Sequence, residues 1–148
     1  MNMEICRLKA GDGVRAIRAV HELKPVEGQN GFDASEDHMR KLLQQDANYL
    51  IVAFDRGRPV GFLVAHRFSR IDRDKNVVYL YEIGVDPDYR RQGIGSKMIR
   101  LLKDECKGDN VMEIWVATGD DNIPAMRLYE STGAVKIPRN YLEYVYQG

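Results

Sequence analysis

Residues 85–95 run Val85, Asp86, Pro87, Asp88, Tyr89, Arg90, Arg91, Gln92, Gly93, Ile94, Gly95, and they restrict the possible folds of this chain more than any other stretch. The preceding residues 77–85 are β-branched, aromatic and mostly apolar, which predicts a strand in the interior of a sheet. Beyond them Ile94, Met98, Leu101 and Leu102 fall on one helical stripe. The pattern is therefore strand, glycine-containing turn, helix. A helix that starts near Gly93 leaves its first backbone N–H groups unpaired, and its macrodipole favours an anion beside them. The stretch reads as a phosphate cradle.

The rest of the chain supplies the layers around that unit. Residues 3–8 alternate as a first strand, and Gly11 and Gly13 interrupt it before a helical pattern of Val14, Ile17 and Val20 with Asp12 as N-cap. Residues 25–34 read as a loop, after which Ser35 caps a second helix carrying Met39, Leu42 and Leu43. Residues 49–54 and 60–68 form a hairpin around a short turn at 55–59, and the charged residues 69–76 lead into the strand already described. After a helix over 94–107, residues 112–117 give a strand that the helical crossover lays parallel to the 77–85 strand. Pro124 then opens a helix that Gly133 ends, and last strands are expected around Val135 and over residues 142–146. The order β-α-α-β-β-β-α-β-α-β-β predicts an α/β (α+β) fold with a mixed, mostly antiparallel central sheet and helices on both faces.

At 148 residues the chain is long enough for one domain with a real core and too short for two, so residues 1–148 are expected to form a single domain. Its 22 basic and 22 acidic residues balance, which removes any global field that would steer the chain toward nucleic acid or a membrane surface. Cys6 and Cys106 lack the paired spacing of zinc sites and are expected to be buried free thiols. With no leader-like start and no apolar run of membrane-spanning length, a cytoplasmic location is expected.

Alone, Arg90-x-x-Gly93-x-Gly95 is a weak signal, because glycines after a strand also make plain turns. A second pattern follows it: Asn122-x-x-Ala125-x-x-Leu128-Tyr129-x-x-x-Gly133. Together, and on the right elements, the two resemble the acetyl-CoA signature and the later motif of the GNAT superfamily of N-acetyltransferases. The resemblance implies acetyl-CoA as acetyl donor, with no metal. It assigns Arg90, Arg91, Gln92, Gly93, Ile94, Gly95 and Ser96 to the CoA pyrophosphate, and the main chain of Ile83, Gly84 and Val85 to the pantetheine arm. Asn122 resembles the asparagine that bonds that arm, although an Asn ahead of a helix is also a common N-cap.

Transfer from a thioester to an amine needs a neutral amine, a stabilised oxyanion and a proton for the departing thiolate. By resemblance, Glu82 takes the proton from the substrate ammonium, directly or through water, the backbone N–H of Val85 polarises the thioester carbonyl, and Tyr129 protonates the thiolate. Glu82 also reads as a solvated or ion-paired strand carboxylate, and Tyr129 as a packing residue. His21, His38 and His66 are scattered and read as packing or surface residues. Cys106 beside Leu102 makes an acyl-cysteine route improbable, so direct transfer in a ternary complex is expected.

Acceptor choice is the least determined part. Runs 81–85, 90–94, 101–103 and 119–121 are similar to those of type I aminoglycoside 3-N-acetyltransferases, which implies an aminoglycoside acceptor and a role in antibiotic resistance. The acidic stretch at 22–37, with Glu22, Glu27 and Asp33, suits a polycationic aminosugar, and is equally a solvated helix-loop face. Tyr144 joins Tyr141 and Tyr146 in an aromatic run that lines either a pocket or the core. Ala134 departs from the aromatic residue that relatives commonly carry after the glycine. Other acceptors are a protein N-terminus, a lysine, a polyamine or an amino acid, and another class is an acyl-CoA sensor without turnover. Retention of Glu82 and Tyr129 argues against the sensor. Expected partners are a small amine, no nucleic acid, no membrane and a second copy as a homodimer.

Overall fold

Strand β2 (Asn48–Asp55) explains why helices cover both faces of the sheet. Its residues alternate between two cores: Tyr49, Ile51 and Ala53 join one, while Leu50, Val52 and Phe54 join the other, and all six are buried. On the first face lies α3 (Ile94–Lys107), which contributes Ile94, Met98, Ile99, Leu102 and Cys106 to that core. On the second lie α1 (Gly13–Glu22) and α2 (Glu36–Gln44), through Ala16, Ala19, Val20, Met39 and Leu43. Truncating a fully buried anchor such as Met98 is expected to cost about 2–5 kcal/mol by lost burial and the cavity left behind.

The computed structural model describes residues 2–23 and 31–148. The remaining elements are β1 (Met3–Leu8), β3 (Arg58–Ser69), β4 (Asn76–Val85), a 3-10 turn over Pro87–Tyr89, β5 (Val111–Trp115) and α4 (Ile123–Ser131). Strand order follows the sequence, β1 to β5. The first four strands pair antiparallel, and the α3 crossover sets β5 parallel to β4. Arg56 and Gly57, at φ +50° and +81°, make the tight turn between β2 and β3 that two-residue hairpins favour.

Caps differ in how they work. Ser35 accepts the N–H of His38 at 3.1 Å, as its position predicts. Asp12 holds the N-cap position of α1, yet its carboxylate bonds the N–H of Lys9 at 2.8 Å and so fixes the turn before the helix instead. Of the two free thiols Cys106 is buried, whereas Cys6, at the margin of the second core, is only half buried.

The expected strands around Val135 and over 142–146 do not form. Among the described residues, the last backbone hydrogen bond joins the N–H of Ala134 to the carbonyl of Tyr129 at 2.9 Å. Beyond it, residues 135–148 make no backbone ladder with any described residue. A strand exists only through its partner, and β5 is the last strand of this sheet.

The far end of the sheet is locked by an ionic network. Arg7 lies over the Tyr49 ring at 4.2 Å and donates to the carbonyls of Asp46 at 2.8 Å and Asn48 at 3.1 Å. Tyr49 donates its hydroxyl to Asp109 at 2.6 Å, and Arg67 reaches both that hydroxyl at 2.8 Å and Asp46 at 2.9 Å. Burial, followed by the bond to Asp109, pushes the Tyr49 phenol well above its ordinary value.

Candidate active site

Strands β4 and β5 run together only from Asn76 to Tyr79, where Tyr79 faces Trp115. Past that point β5 ends and β4 continues to Val85 with β3 alone beside it. The N–H of Asp86 donates to Val60 on the β3 side at 2.8 Å. Because successive N–H groups of a strand point to opposite edges, Gly84 also faces β3, while the N–H groups of Ile83 and Val85 face the opening. An extended acceptor-bearing chain placed in that opening can bond to them as a further strand would.

A bulge re-aims the side chains just before this edge. Glu82 lies opposite Val64 and Leu80 opposite Ala65, so Tyr81 is the extra residue. Leu80 and Ile83 both pack toward α3. Glu82 shares its face with Val64, on the α1 and α2 side, and Tyr81 sits 6.0 Å from the His66 ring and 6.3 Å from that of Tyr79. The Glu82 side chain is half buried, and among the described residues none forms a hydrogen bond or ion pair with it. Of the solvated and ion-paired readings of this carboxylate, the ion-paired one finds no partner among the described residues. Phe32 meets Phe62 edge-on at 5.3 Å, opposite Gly84, which brings the start of the α2 segment and the exposed Asp33 to the same face.

The turn after β4 is built by groups that motif reading passes over. Asp86 is buried, accepts the N–H of Asp88 at 3.0 Å and meets Arg58 at 3.4 Å. The Tyr89 hydroxyl donates to Asp55 at 2.9 Å, which ties the turn to the β2–β3 hairpin. Arg90 folds its Nε back to the Val85 carbonyl at 3.4 Å. Arg91 and Gly93 then adopt φ of +63° and +77°, with Gly93 as N-cap of α3. Alternating left-handed residues ahead of a helix turn consecutive N–H groups toward one point, the backbone arrangement that receives phosphate. Arg91, Gln92 and Gly93 are exposed, Gly95 and Ser96 half buried, and the Ile94 side chain is core.

Gly95 has a packing role besides. A Cβ there would come within 3.2 Å and 3.3 Å of the Leu128 methyls, so the glycine lets α4 approach the start of α3. The next residue, Tyr129, is one of the half-buried residues packed against the core that contains Ile94, as are Ile83 and Val85. Burial above all, then the nearby Tyr79 phenol, raises the Tyr129 hydroxyl above its ordinary value. Asn122 caps α4 by accepting the N–H of Ala125 at 3.2 Å, and no described residue bonds its amide nitrogen.

The expected acceptor residues are not gathered in the same way. Glu22 ends α1 and lies 3.8 Å from Arg18, Glu36 pairs with Arg40 at 2.8 Å, and Asp37 with Lys41 at 3.1 Å, so α1 and α2 neutralise much of the acidic stretch themselves. Glu27 lies outside the described residues. Tyr144 is 83% exposed in the carboxy-terminal segment. His21 bonds the Ala34 carbonyl and His66 the Asn48 amide oxygen, both as parts of the scaffold.

A parted sheet whose open strand edge leads into a glycine-capped helix defines a binding class, one for an elongated molecule with a phosphate end. The chain belongs to the acetyltransferase (GNAT) family, whose model matches residues 17–134. A [ribosomal protein bS18]-alanine N-acetyltransferase of Escherichia coli is 42% identical over 64 residues, 42% of this chain and 43% of that protein. The match thus spans less than half the length of that relative. An aminoglycoside acetyltransferase from an uncultured soil metagenomic sample, solved with sisomicin, superposes with TM-score 0.83 at 25% identity over 98% of this chain and 97% of that one. AAC(6')-Iy, solved with a bisubstrate analog, shares the fold at TM-score 0.74 and 18% identity, over 99% of each chain.

Proposed function

We propose that residues 1–148 form one acetyl-CoA-dependent N-acetyltransferase domain that moves the acetyl group directly to a primary amine. The observation that carries this reading is the parting of β4 and β5, which leaves the N–H groups of Ile83 and Val85 facing an opening that leads to the Gly93 turn. In it, Ile83 and Val85 hold the donor's arm, the backbone of residues 91–96 holds its pyrophosphate, and Asn122 offers its amide nitrogen to the arm. The Val85 N–H points at the thioester oxygen and stabilises the charge that develops there. Glu82 accepts the ammonium proton, and Tyr129 returns a proton to the leaving sulfur.

The leading acceptor is an aminoglycoside. It is supported by the near-full-length superposition on the sisomicin-bound enzyme and by Asp33, an exposed carboxylate on the Glu82 face. Regiochemistry at the 3-amino position rests on the sequence runs alone. A second reading, a protein N-terminus, is supported by the identity to the ribosomal-protein-alanine N-acetyltransferase. The other partner is a second copy of the chain, with neither nucleic acid nor membrane taking part, and no helix among the described residues is long and apolar enough to cross a membrane. Thiol release from acetyl-CoA across aminoglycosides, polyamines and amino-terminal peptides tests the reading. Stimulation by aminoglycosides alone is expected. Stimulation by peptides alone selects the second reading, and binding of acetyl-CoA without release for any amine refutes enzymatic turnover.

A further inference from the structure

The hairpin turn between β2 and β3 carries two charged side chains that neither core uses. Asp55 and Arg58 are partners across it, at the last position of β2 and the first of β3, yet no ion pair joins them to each other. Each reaches instead to the turn after β4. The Tyr89 hydroxyl donates to Asp55 Oδ2 at 2.9 Å, and Arg58 Nη2 donates to Asp86 Oδ2 at 3.4 Å. An acceptor and a donor side by side on the hairpin thus meet a donor and an acceptor on the turn. Both sides are themselves held: the other Asp55 oxygen accepts the N–H of Asn2 at 3.1 Å, and Asp86 is buried, with its own N–H on the Val60 carbonyl at 2.8 Å.

The backbone that follows needs such support. Arg91 has φ of +63°, a conformation that side chains other than glycine's rarely adopt, and residues 91–93 are exposed, so packing does not impose it. A loop that must be ordered when its ligand arrives binds weakly, whereas one ordered beforehand does not. We propose that Asp55, Arg58, Asp86 and Tyr89 are positioning residues that hold residues 90–93 in the phosphate-receiving form before the donor arrives, so that the β2–β3 hairpin sets the affinity for the pyrophosphate half of acetyl-CoA. They act through the backbone of the turn and not on the donor. The inference rests on the acetyl-CoA reading of the site and is independent of which amine is acetylated. The pantetheine arm is outside the reach of the hairpin contacts, because the edge at Ile83 and Val85 is built by the pairing of β4 with β3.

Titrations of the full chain with acetyl-CoA and with S-acetylpantetheine, which keeps the arm and lacks the pyrophosphate, test this when followed by amide NMR. Tyr89→Phe, which removes one hydroxyl, is expected to weaken acetyl-CoA binding roughly three- to thirtyfold and to leave S-acetylpantetheine binding as it is in the parent. Adding Asp55→Ala should weaken it no further, because both changes remove one bond, whereas adding Arg58→Gln, which removes the other bond, should. Arg58→Lys should recover part of the second loss. Amides of residues 86–93 should exchange faster in Tyr89→Phe without donor and match the parent once acetyl-CoA is bound. Acetyl-CoA binding as tight as the parent's in both Tyr89→Phe and Arg58→Gln would overturn the inference, and so would equal losses for the two donors, which would reduce the contacts to general stability. A parent chain that fails to bind acetyl-CoA is a different result: it refutes the donor reading, and this inference with it.

Discussion

At the scale of single residues, the two side chains proposed to carry the chemistry can be tested apart. Burial above all raises the Tyr129 phenol above its ordinary value, and the proposed role of its hydroxyl is tested by removing it. Tyr129→Phe is expected to lower kcat roughly ten- to a thousandfold with little change in acetyl-CoA affinity, as for loss of one general acid. Steady-state kinetics decide this, and an unchanged kcat removes the assignment. Glu82 is half buried with no described partner, so its carboxylate is available to an incoming ammonium. In Glu82→Gln the amine must lose its proton to water, and the rate should climb more steeply with pH than in the parent. A pH–rate profile that overlays the parent's would make Glu82 structural.

At the scale of elements, the important contact is between α3 and α4, because it sets where Tyr129 and Asn122 stand relative to β4. Gly95→Val places methyls where the Leu128 side chain now lies, and overpacking of this kind costs about 1–3 kcal/mol. The variant should melt earlier and lose both kcat and acetyl-CoA affinity, since α4 is pushed off. Leu128→Ala in the same chain should recover part of each, measured as a double-mutant cycle, while strict additivity would deny the contact. Much at this scale was legible in the sequence. The hydrophobic stripe predicts 94–107, and α3 has those bounds; Pro124 opens α4 and Ser35 caps α2 as expected. The Tyr81 bulge and the anchoring of Asp86 by Arg58 carry no such local signal, because they depend on the register of β4 against β3.

At the scale of the whole molecule, the locked end of the sheet gives stability a sensitivity to alkali. Burial pushes the Cys106 thiol up from 9.0 to about 11, and the Tyr49 phenol rises further. Above pH 9 the unfolded chain releases the thiol proton while the folded chain holds it, so stability is full below that pH and falls as pH climbs toward about 11. Urea titrations between pH 8 and pH 11 should show the decline, and Cys106→Ala should flatten part of it; an identical slope in the variant would show that the thiol does not contribute.

What the sequence determines by itself is what short-range rules determine: the strand, turn and helix around Gly93 and the two family motifs. Only the tertiary structure decides that β4 and β5 part after Tyr79 and that Tyr81 is the extra residue of a bulge. It also leaves the carboxy-terminal run without a strand where periodicity predicts one. The physical reason is the same throughout. Helices close their hydrogen bonds within a few residues and so are written locally, whereas a strand, and the openings between strands that bind ligands, exist only where a distant segment or another chain lies beside them.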